Sequence, residues 1–320
     1  MPLITTSIDL AISDLKQGKP VAIPTETVYG LAALINQEEA IKAVFAMKER
    51  PLNHPLIVHV ANNWDLSELV DDIPEYAQRL MAHFWPGPLT LVLSCKNKAI
   101  NPLITGGQTT IAIRCPAHPL AQKLLEQLQT PLVAPSANPF GKISPTTALH
   151  VQHSFCNETL TILDGGRCGV GIESTIVDAT QAQELQILRH GSIDETAIAA
   201  VALIECMDGE NHLRAPGKLE RHYQPQKTLY YFSDCELLLR FCQKRPDDVY
   251  VIASKQPATV AEHHFHPLAT QPEQAAFDLY FQLRAADAAN VHAIAIELPP
   301  ASSKWQGVRE RILKAGISGL

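Results

Sequence analysis

Residues 21–60 read VAIPTETVYGLAALINQEEAIKAVFAMKERPLNHPLIVHV, and the alternation of patterns in this stretch indicates the fold class. Short apolar runs predict strands at Val21–Pro24 and Leu56–Val60, and apolar residues at helical spacing predict an amphipathic helix over Glu38–Lys48. Strands that alternate with helices are typical of α/β proteins. We therefore expect an α/β fold around this stretch.

The same alternation extends along the chain on both sides. Further strands are predicted at Leu89–Ser94, Thr110–Arg114, Leu132–Ala134, Leu160–Leu163, Thr175–Asp178 and Leu185–Leu188. Further helices are predicted at Ile8–Lys16, Glu75–Phe84, Pro119–Leu128 and Thr146–His153. Because several strands follow each other without a helix between them, at least part of the sheet should be antiparallel. The expected architecture is a large mixed, twisted sheet with flanking helices.

The regular pattern stops after a helix-like stretch at Asp194–Leu203. Residues 205–227 contain glycine, proline and charges without a sustained period, which is typical of a linker, and connections of this length are often functional. From Thr228 onward three predicted strands alternate with three predicted helices, which favours parallel pairing. We therefore expect a domain over residues 1–204, a linker over 205–227 and a smaller α/β domain over 228–320.

Composition and charge exclude several classes of protein. Of the 320 residues 46% are hydrophobic and 18% charged, and the formal net charge is −7, which excludes a fibrous protein and argues against disorder. The longest apolar run, Ala197–Ile204, is too short to cross a bilayer, and the N-terminus lacks a secretory pattern, so we expect a cytoplasmic protein without membrane contact. Seven scattered cysteines without a C-x-x-C pair fit a reducing compartment.

Polar residues follow predicted strands and helices at Pro- and Gly-rich turns, where side chains can converge. Familiar motifs such as G-x-G-x-x-G, G-x-x-x-x-G-K-[ST], H-E-x-x-H and G-x-S-x-G do not occur in the sequence. The cations at these turns are Lys48, Arg50, Arg114 and Arg189, and the hydroxyl groups are those of Thr27, Ser136, Ser144 and Ser174. Arginine at a strand end suits bidentate capture of a carboxylate or phosphate. The set predicts an anion site for a carboxylated small molecule, a polyphosphate or both.

Each of these features also has a purely structural interpretation. The segment Pro24–Gly30 can cap a following helix, and Ser144 or Thr146 can cap the next one. Lys48 can serve only as a partner of a helix dipole, and His59 can be a core histidine. The run from His263 to His266 invites a metal interpretation, but without ligands at useful spacing it is predicted to be a solvated loop.

Eight motifs, in this order, resemble the YrdC-type threonylcarbamoyl-AMP synthases in their longer two-domain form. They are PTETVYGLAA at 24–33, KERPLNHPLIVH at 48–59, WPGPLTLVL at 85–93, IAIRCPAHP at 111–119, APSAN at 134–138, SPT at 144–146, GIESTIVD at 171–178 and ILRHG at 187–191. The resemblance implies a YrdC-like catalytic domain, followed by a linker and a Rossmann-like C-terminal domain. It also implies condensation of L-threonine, bicarbonate and ATP to threonylcarbamoyl-adenylate and pyrophosphate, for modification of a tRNA adenosine.

The resemblance assigns roles to individual residues. The catalytic group would be Lys48, Arg50, Ser136 and Asn138. The L-threonine site would consist of Thr27, His59, Arg114, Ala134 and Ser174. The ATP site would consist of Arg50, His54, Thr110, Ser136, Ser144, Arg189 and the linker residue Tyr223, which we expect to close on the nucleotide. His54 stands where some members carry Asn, and residues 218–220 depart from the usual linker pattern.

Mg²⁺ is expected with the triphosphate, with few protein ligands of its own, and no metal site of the protein is predicted. A downstream complex that transfers the threonylcarbamoyl group to tRNA would be a partner, and the negative charge leaves direct tRNA binding uncertain. Two alternatives stay open at this point. One is an RNA-binding module that uses the same basic surface. The other is a carbamoyl-adenylate-forming enzyme like the related domain of hydrogenase-maturation proteins.

Overall fold

The fold is that of a computed structural model, which describes residues 1–96, 100–207, 209, 213–217, 221–245 and 248–319. The helices in these ranges are α1 (Ile8–Lys16), α2 (Glu38–Lys48), α3 (Glu75–Phe84), α4 (Pro102–Thr105), α5 (Pro119–Leu128), α6 (Ala148–Ser154), α7 (Glu195–Ala202), α8 (Cys235–Gln243), α9 (Pro272–Ala288) and α10 (Gln306–Ala315). The first ten strands are β1 (Leu3–Thr5), β2 (Val21–Ile23), β3 (Gly30–Leu34), β4 (Ile57–His59), β5 (Leu89–Ser94), β6 (Thr110–Arg114), β7 (Leu132–Val133), β8 (Thr161–Leu163), β9 (Thr175–Asp178) and β10 (Gln186–Arg189). The other five are β11 (Thr228–Phe232), β12 (Val249–Ala253), β13 (Phe265–Pro267), β14 (Ala293–Glu297) and β15 (Ile317–Ser318).

The first ten strands form one mixed sheet in the order β1-β8-β2-β3-β7-β4-β6-β5-β9-β10. Some neighbours pair in parallel, as β4 with β6 do, and others pair antiparallel, as β5 with β6 do, which confirms the expected mixed sheet. Along β3, Leu31 and Ala33 join the apolar core that α2 and α3 cover. Ala32 and Leu34 join a second core, under α1 and α5. Because side chains alternate between the faces of a strand, helices cover both faces of the sheet.

The segment Pro24–Gly30 does not cap a helix, so that interpretation is wrong. It turns the chain from β2 into β3, and these two strands pair antiparallel. The Thr25 hydroxyl donates to the carbonyl of Val28 at 2.6 Å and accepts from two backbone N–H groups of the same turn. A threonine side chain can stabilise a tight turn as readily as a helix start, because both expose unpaired backbone N–H groups. The hairpin therefore projects Thr25 and Thr27 from the strand ends.

Strands β11 to β15 form a second sheet in the order β13-β12-β14-β11-β15. Every pair in it is parallel, as predicted from the alternation after residue 228. The solvated loop predicted at His263–His266 is wrong, because Glu262–His264 form a 3₁₀ turn, β13 begins at Phe265, and His264 is buried. Among the described helices, none combines the length and the apolar character that a membrane span requires.

The second sheet's helices pack directly on the first part of the chain. Arg167 lies over the rings of Phe277 and Phe281, with its guanidinium 3.6 and 4.2 Å from their centroids, and it pairs with Asp278 at 2.9 Å. Arg284 donates to the carbonyl of Ile143 at 2.5 Å. Helix α9 carries all of these contacts with the first part of the chain. The predicted boundaries at 204 and 227 stay a prediction.

Candidate active site

A cleft opens where strand ends, the end of α2 and the linker meet. Its volume is about 680 Å³ including the open mouth. The predicted residues that line it are Thr27, Lys48, Arg50, His59, Arg114, Ala134, Ser136, Asn138, Arg189 and Tyr223. The structure thus brings ten of the predicted positions, and all four predicted cations, into one cavity.

One end of the cleft is built on two neighbouring parallel strands. His59 ends β4 and pairs in register with Arg114, which ends β6. Arg114 donates to the hydroxyl of Thr27 at 2.8 Å and to the carboxylate of Glu26 at 2.6 Å. Burial, together with the nearby charge of Arg114, lowers the pKa of His59 to about 3, so the imidazole is neutral near pH 7. Arg114 is therefore the charged group that can receive a carboxylate at this end, and neutral His59 adds no competing charge.

Lys48 and Arg50 lie on either side of the residue that ends α2. Glu49 adopts a left-handed conformation (φ 53°), which stops the helix. The ammonium group of Lys48 donates to the carbonyls of Ser136 and, at 2.6 Å, Asn138. Burial and the charge of Arg50 hold the pKa of Lys48 well below its usual range. Lys48 thus makes specific contacts with another loop, so the interpretation as a helix-dipole partner alone is wrong.

Several buried polar atoms of this cleft have no hydrogen-bond partner among the described residues. They are Arg50 Nε, Asn138 Oδ1, His222 Nδ1 and the hydroxyl of Tyr223. Buried polar groups are nearly always hydrogen-bonded, and a cluster of unpaired ones needs an explanation. Two donors and two groups that can accept, facing the same space, fit a polar ligand that supplies the missing partners.

Two of the predicted serines lie behind the cavity wall. The Ser174 hydroxyl accepts from Arg189 at 3.0 Å and lies 2.7 Å from the Thr90 hydroxyl. The Ser144 hydroxyl donates to Glu173, which does line the cavity, at 2.5 Å. Helix α6 begins with Thr147 as its cap, so the alternative that Ser144 or Thr146 caps it is wrong. In this closed arrangement the two serines therefore contact the lining residues Glu173 and Arg189 and do not line the cavity themselves.

Two more predicted residues are outside the described lining. Thr110 begins β6, four residues before Arg114, and at ~3.3 Å per residue it lies about 13 Å away along the strand. His54 packs edge-on against Phe140, with ring centroids 5.2 Å apart. Phe140, which the sequence reasoning did not select, separates His54 from the cavity by lining the wall itself. The roles assigned to Thr110 and His54 stay predictions.

The linker closes the cleft. Tyr223 is only 1% exposed, its φ of 62° is left-handed, and its ring meets that of His222 edge-on with centroids 4.1 Å apart. Arg189 holds the other side of the linker by donating to the carbonyl of Pro216 at 3.3 Å. These contacts bury Tyr223 over the cleft, so we expect the linker to move outward to admit a ligand. The departure at 218–220 lies outside the described residues.

Gly217 makes this closure possible, and a substitution there tests it. Its φ is +91°, and an added Cβ would lie 2.6 Å from the Tyr223 hydroxyl and 2.8 Å from Arg189 Cδ. We expect Gly217→Ala to raise the KM for ATP about 10-fold, because the variant must open the linker to relieve the contact and the closed form becomes less populated. Steady-state kinetics with varied ATP measures the effect. Gly166→Ala is the matched control, since φ is +79° and nothing lies within 4 Å of the added carbon. Equal KM values for the two variants would contradict the prediction.

Comparison with known proteins gives the family. A family model for Sua5, YciO and YrdC, described as "Telomere recombination", matches residues 13–191, and one described as "Threonylcarbamoyl-AMP synthase, C-terminal domain" matches residues 183–316. The chain belongs to this family. A Bacillus subtilis relative named threonylcarbamoyl-AMP synthase is 37% identical over 94% of this chain and 90% of its own length. One from Pyrococcus abyssi with the same name is 43% identical over 68% of this chain and 65% of its own length. The crystal structure of P. abyssi Sua5 complexed with L-threonine is similar with a TM-score of 0.86 at 35% identity, over 98% of this chain and 97% of that one.

Some residues of this site were missed by sequence reasoning. Glu173, Phe140 and His222 line the cavity. Arg311, on α10, contacts Glu173. Glu173 was within reach, because it lies in GIESTIVD beside Ser174, where a carboxylate among cations stands out. Nothing local to Arg311 indicates a contact with the cavity wall.

Proposed function

We propose that this chain is a threonylcarbamoyl-AMP synthase that condenses L-threonine, bicarbonate and ATP to threonylcarbamoyl-adenylate and pyrophosphate. The observation that carries the proposal is one buried cleft in which Lys48, Arg50, Arg114 and Arg189 face a single lining carboxylate, Glu173. Three anions must meet in this reaction, so the site needs cations and donors more than a strong base. The names of the relatives and the threonine complex of P. abyssi Sua5 support it.

Threonine binds, in this proposal, at the Arg114 end. Its carboxylate accepts hydrogen bonds from the Arg114 guanidinium, which in the structure donates to Thr27 and Glu26. Because His59 is neutral, it offers hydrogen bonds without attracting the carboxylate away from Arg114. Thr27 and Ala134 line the same end of the cleft. The amine of threonine then lies toward the middle of the cavity, between Arg114 and the cations at the end of α2.

ATP occupies the part of the cleft that holds Arg50, Arg189 and Tyr223. The threonine nitrogen forms a bond to the carbon of CO₂ derived from bicarbonate and loses a proton, and the resulting carbamate oxygen attacks the α-phosphorus. The bond from that phosphorus to the bridging oxygen of the β-phosphate breaks, and pyrophosphate leaves. Lys48 and Arg50 offset the charge that develops on these oxygens. Such preorganised donors in a water-poor site contribute large rate effects.

Mg²⁺ enters this site with the triphosphate in our proposal. The one carboxylate among the lining residues, Glu173, already accepts from Ser144, Tyr280 and Arg311. A metal ion here would consequently take most of its oxygen ligands from phosphate and water, and it would neutralise charge on the leaving pyrophosphate. The cytoplasmic location, the transfer complex as a downstream partner and any contact with tRNA stay predictions. The buried position of the cations under the linker supports a small-molecule site over an RNA surface.

Threonine-dependent release of pyrophosphate tests the function. With ATP and Mg²⁺ present, we expect release only when L-threonine and bicarbonate are both added, because the attacking oxygen exists only after both have combined. A coupled assay for pyrophosphate, with mass spectrometry of the adenylate, measures it. Omission of threonine and omission of bicarbonate are the two controls. Equal release without threonine would overturn the proposal. Release that requires added carbamate in place of threonine and bicarbonate, with carbamoyl-adenylate as the product, would favour the related hydrogenase-type chemistry.

A further inference from the structure

The Glu173 carboxylate is shared between the two sheets of the protein. One oxygen accepts from the Ser144 hydroxyl, and the other accepts from the hydroxyl of Tyr280 at 2.9 Å and from Arg311 Nε at 3.1 Å. Tyr280 lies on α9 and Arg311 on α10, so two helices of the second sheet reach the wall of the active-site cleft. Burial alone would raise the pKa of Glu173, but the charges of Arg311 and Arg189 and the bond from Ser144 outweigh it and lower the pKa to about 2. Glu173 is therefore ionised.

The long charged side chain of Arg311 is buried and held by several partners. It is 1% exposed and donates, besides its bond to Glu173, to the carbonyl of His190. Helix α10 can approach this closely because Gly307 lies on Gly191, where an added Cβ would come within 2.3 Å of a backbone oxygen. A buried arginine with a fixed carboxylate partner has little freedom to move, because separating the pair would leave two unpaired buried charges.

Tyr280 and Arg311 also contact the linker. The Arg311 guanidinium lies 5.3 Å from the centre of the Tyr223 ring, and the rings of Tyr223 and Tyr280 are 5.8 Å apart. Both distances are within the range of favourable cation–π and aromatic contacts. The same two side chains thus hold Glu173 on one side and seat Tyr223 on the other.

We propose that Tyr280 and Arg311 are positioning residues for the ATP site: they fix Glu173, which orients the Ser144 hydroxyl, and they seat Tyr223 in its closed position. This inference rests on the proposed function. The second domain then supports nucleotide binding through the contacts of Tyr280 and Arg311 with Glu173 and Tyr223, rather than by covering the cleft. Ser144 lies behind the cavity wall and gives its only proton to Glu173, so it acts on the nucleotide through Glu173 rather than by a contact of its own.

A set of variants tests this inference. Tyr280→Phe removes one hydroxyl and keeps the ring, and Arg311→Met removes the charge with a side chain of similar length. We expect the KM for ATP to rise about 5-fold in the first and about 30-fold in the second, with the KM for threonine within about 2-fold of the parent, because each loses a contact to Glu173. Arg167→Met is the matched control, since Arg167 also joins the two sheets but does so through Phe277, Phe281 and Asp278 rather than through Glu173. It should leave both KM values unchanged.

A double-mutant cycle separates positioning from general loosening. If Tyr280 acts through Glu173 on Ser144, Ser144→Ala should raise the KM for ATP in the parent but add less than about 2-fold in the Tyr280→Phe background. Fully additive effects, or equal effects of Arg311→Met and Arg167→Met, would overturn the inference. Thermal unfolding shows whether Arg311→Met has failed to fold. If it has, the KM for ATP of Tyr280→Phe alone tests the inference. If the unaltered protein shows no threonine-dependent pyrophosphate release, the proposed function fails instead, which is a distinct outcome.

Discussion

Replacing Arg114 by alanine is expected to weaken threonine binding about 10- to 150-fold, which corresponds to ~1.5–3 kcal/mol for a lost charge-assisted contact. Arg114 is 4% exposed and lies beside neutral His59, so no other cation at this end of the cleft takes its place among the described lining residues. ATP binding should change far less, because in the proposed arrangement Arg50 and Arg189, and not Arg114, hold the nucleotide. Calorimetry with each ligand, or KM values for each substrate, measures the difference.

Two further variants make this result interpretable. Arg114→Ala leaves the Glu26 carboxylate without its partner at 2.6 Å, so Glu26→Gln should be combined with it to avoid an unpaired charge. Arg50→Ala should give the opposite pattern, with ATP weakened more than threonine, because Arg50 lies beside Phe140 and the linker end of the cleft. If Arg114→Ala weakens both ligands equally, the threonine carboxylate does not bind Arg114.

Replacing Lys48 by methionine is expected to lower kcat about 100- to 1,000-fold, with the KM for threonine nearly unchanged. The Lys48 ammonium is fixed by the carbonyls of Ser136 and Asn138 in a fully buried position, and it faces the space between the two proposed substrates. Burial and Arg50 lower the pKa of Lys48 in the ligand-free cleft, but bound anions favour its charged form. The resulting positive charge stabilises the carbamate and the reacting phosphate most when their negative charge is developing. Steady-state pyrophosphate release at saturating substrates measures kcat.

Lys42→Met is the control for this second substitution. Lys42 lies on the same helix, six residues earlier, but it is exposed and pairs with Glu38 and Glu39 on the surface. It carries the same substitution on the same helix, so it reports any general effect on α2. We expect its kcat to stay within about 2-fold of the parent, since exposed ion pairs contribute little. A kcat for Lys48→Met equal to that of Lys42→Met would remove Lys48 from the mechanism.

The sequence predicts the fold well wherever the pattern is local. Helices α1, α2, α3 and α5 begin and end at the predicted residues, and Arg114 ends its strand as expected, because helical and strand periodicity are properties of neighbouring residues. The strand β3 was missed, since Gly30–Leu34 is apolar at every position and is defined by its antiparallel partner β2 rather than by alternation. The short strands β1, β13 and β15 were also missed, because strands of two or three residues are too short to show alternation. Each of them is defined by its pairing with a longer or more distant part of the sheet.

The candidate site was predictable in the residues that follow strands and helices, and less so in its contacts. The four cations were found as a set because they recur at strand and helix ends. Which of their donors are already used could not be found, because Lys48 is held by carbonyls 88 and 90 residues away, and backbone carbonyls leave no trace in residue identity. The same limit applies to the position of Ser144 and Ser174 behind the wall, which depends on how Glu173 and Arg189 are packed.

The sequence by itself determined the α/β class, the order of the eight family motifs and the collection of cations that a site for several anions requires. These features depend on residue type and on spacing along the chain. Only the tertiary structure decided that a carboxylate in the first sheet's domain meets Tyr280 and Arg311, the latter 138 residues away, and that the linker tyrosine rests on the same pair. The physical reason is that a buried charge is stable only with a partner. The partner can come from any part of the chain that folding brings within about 3 Å.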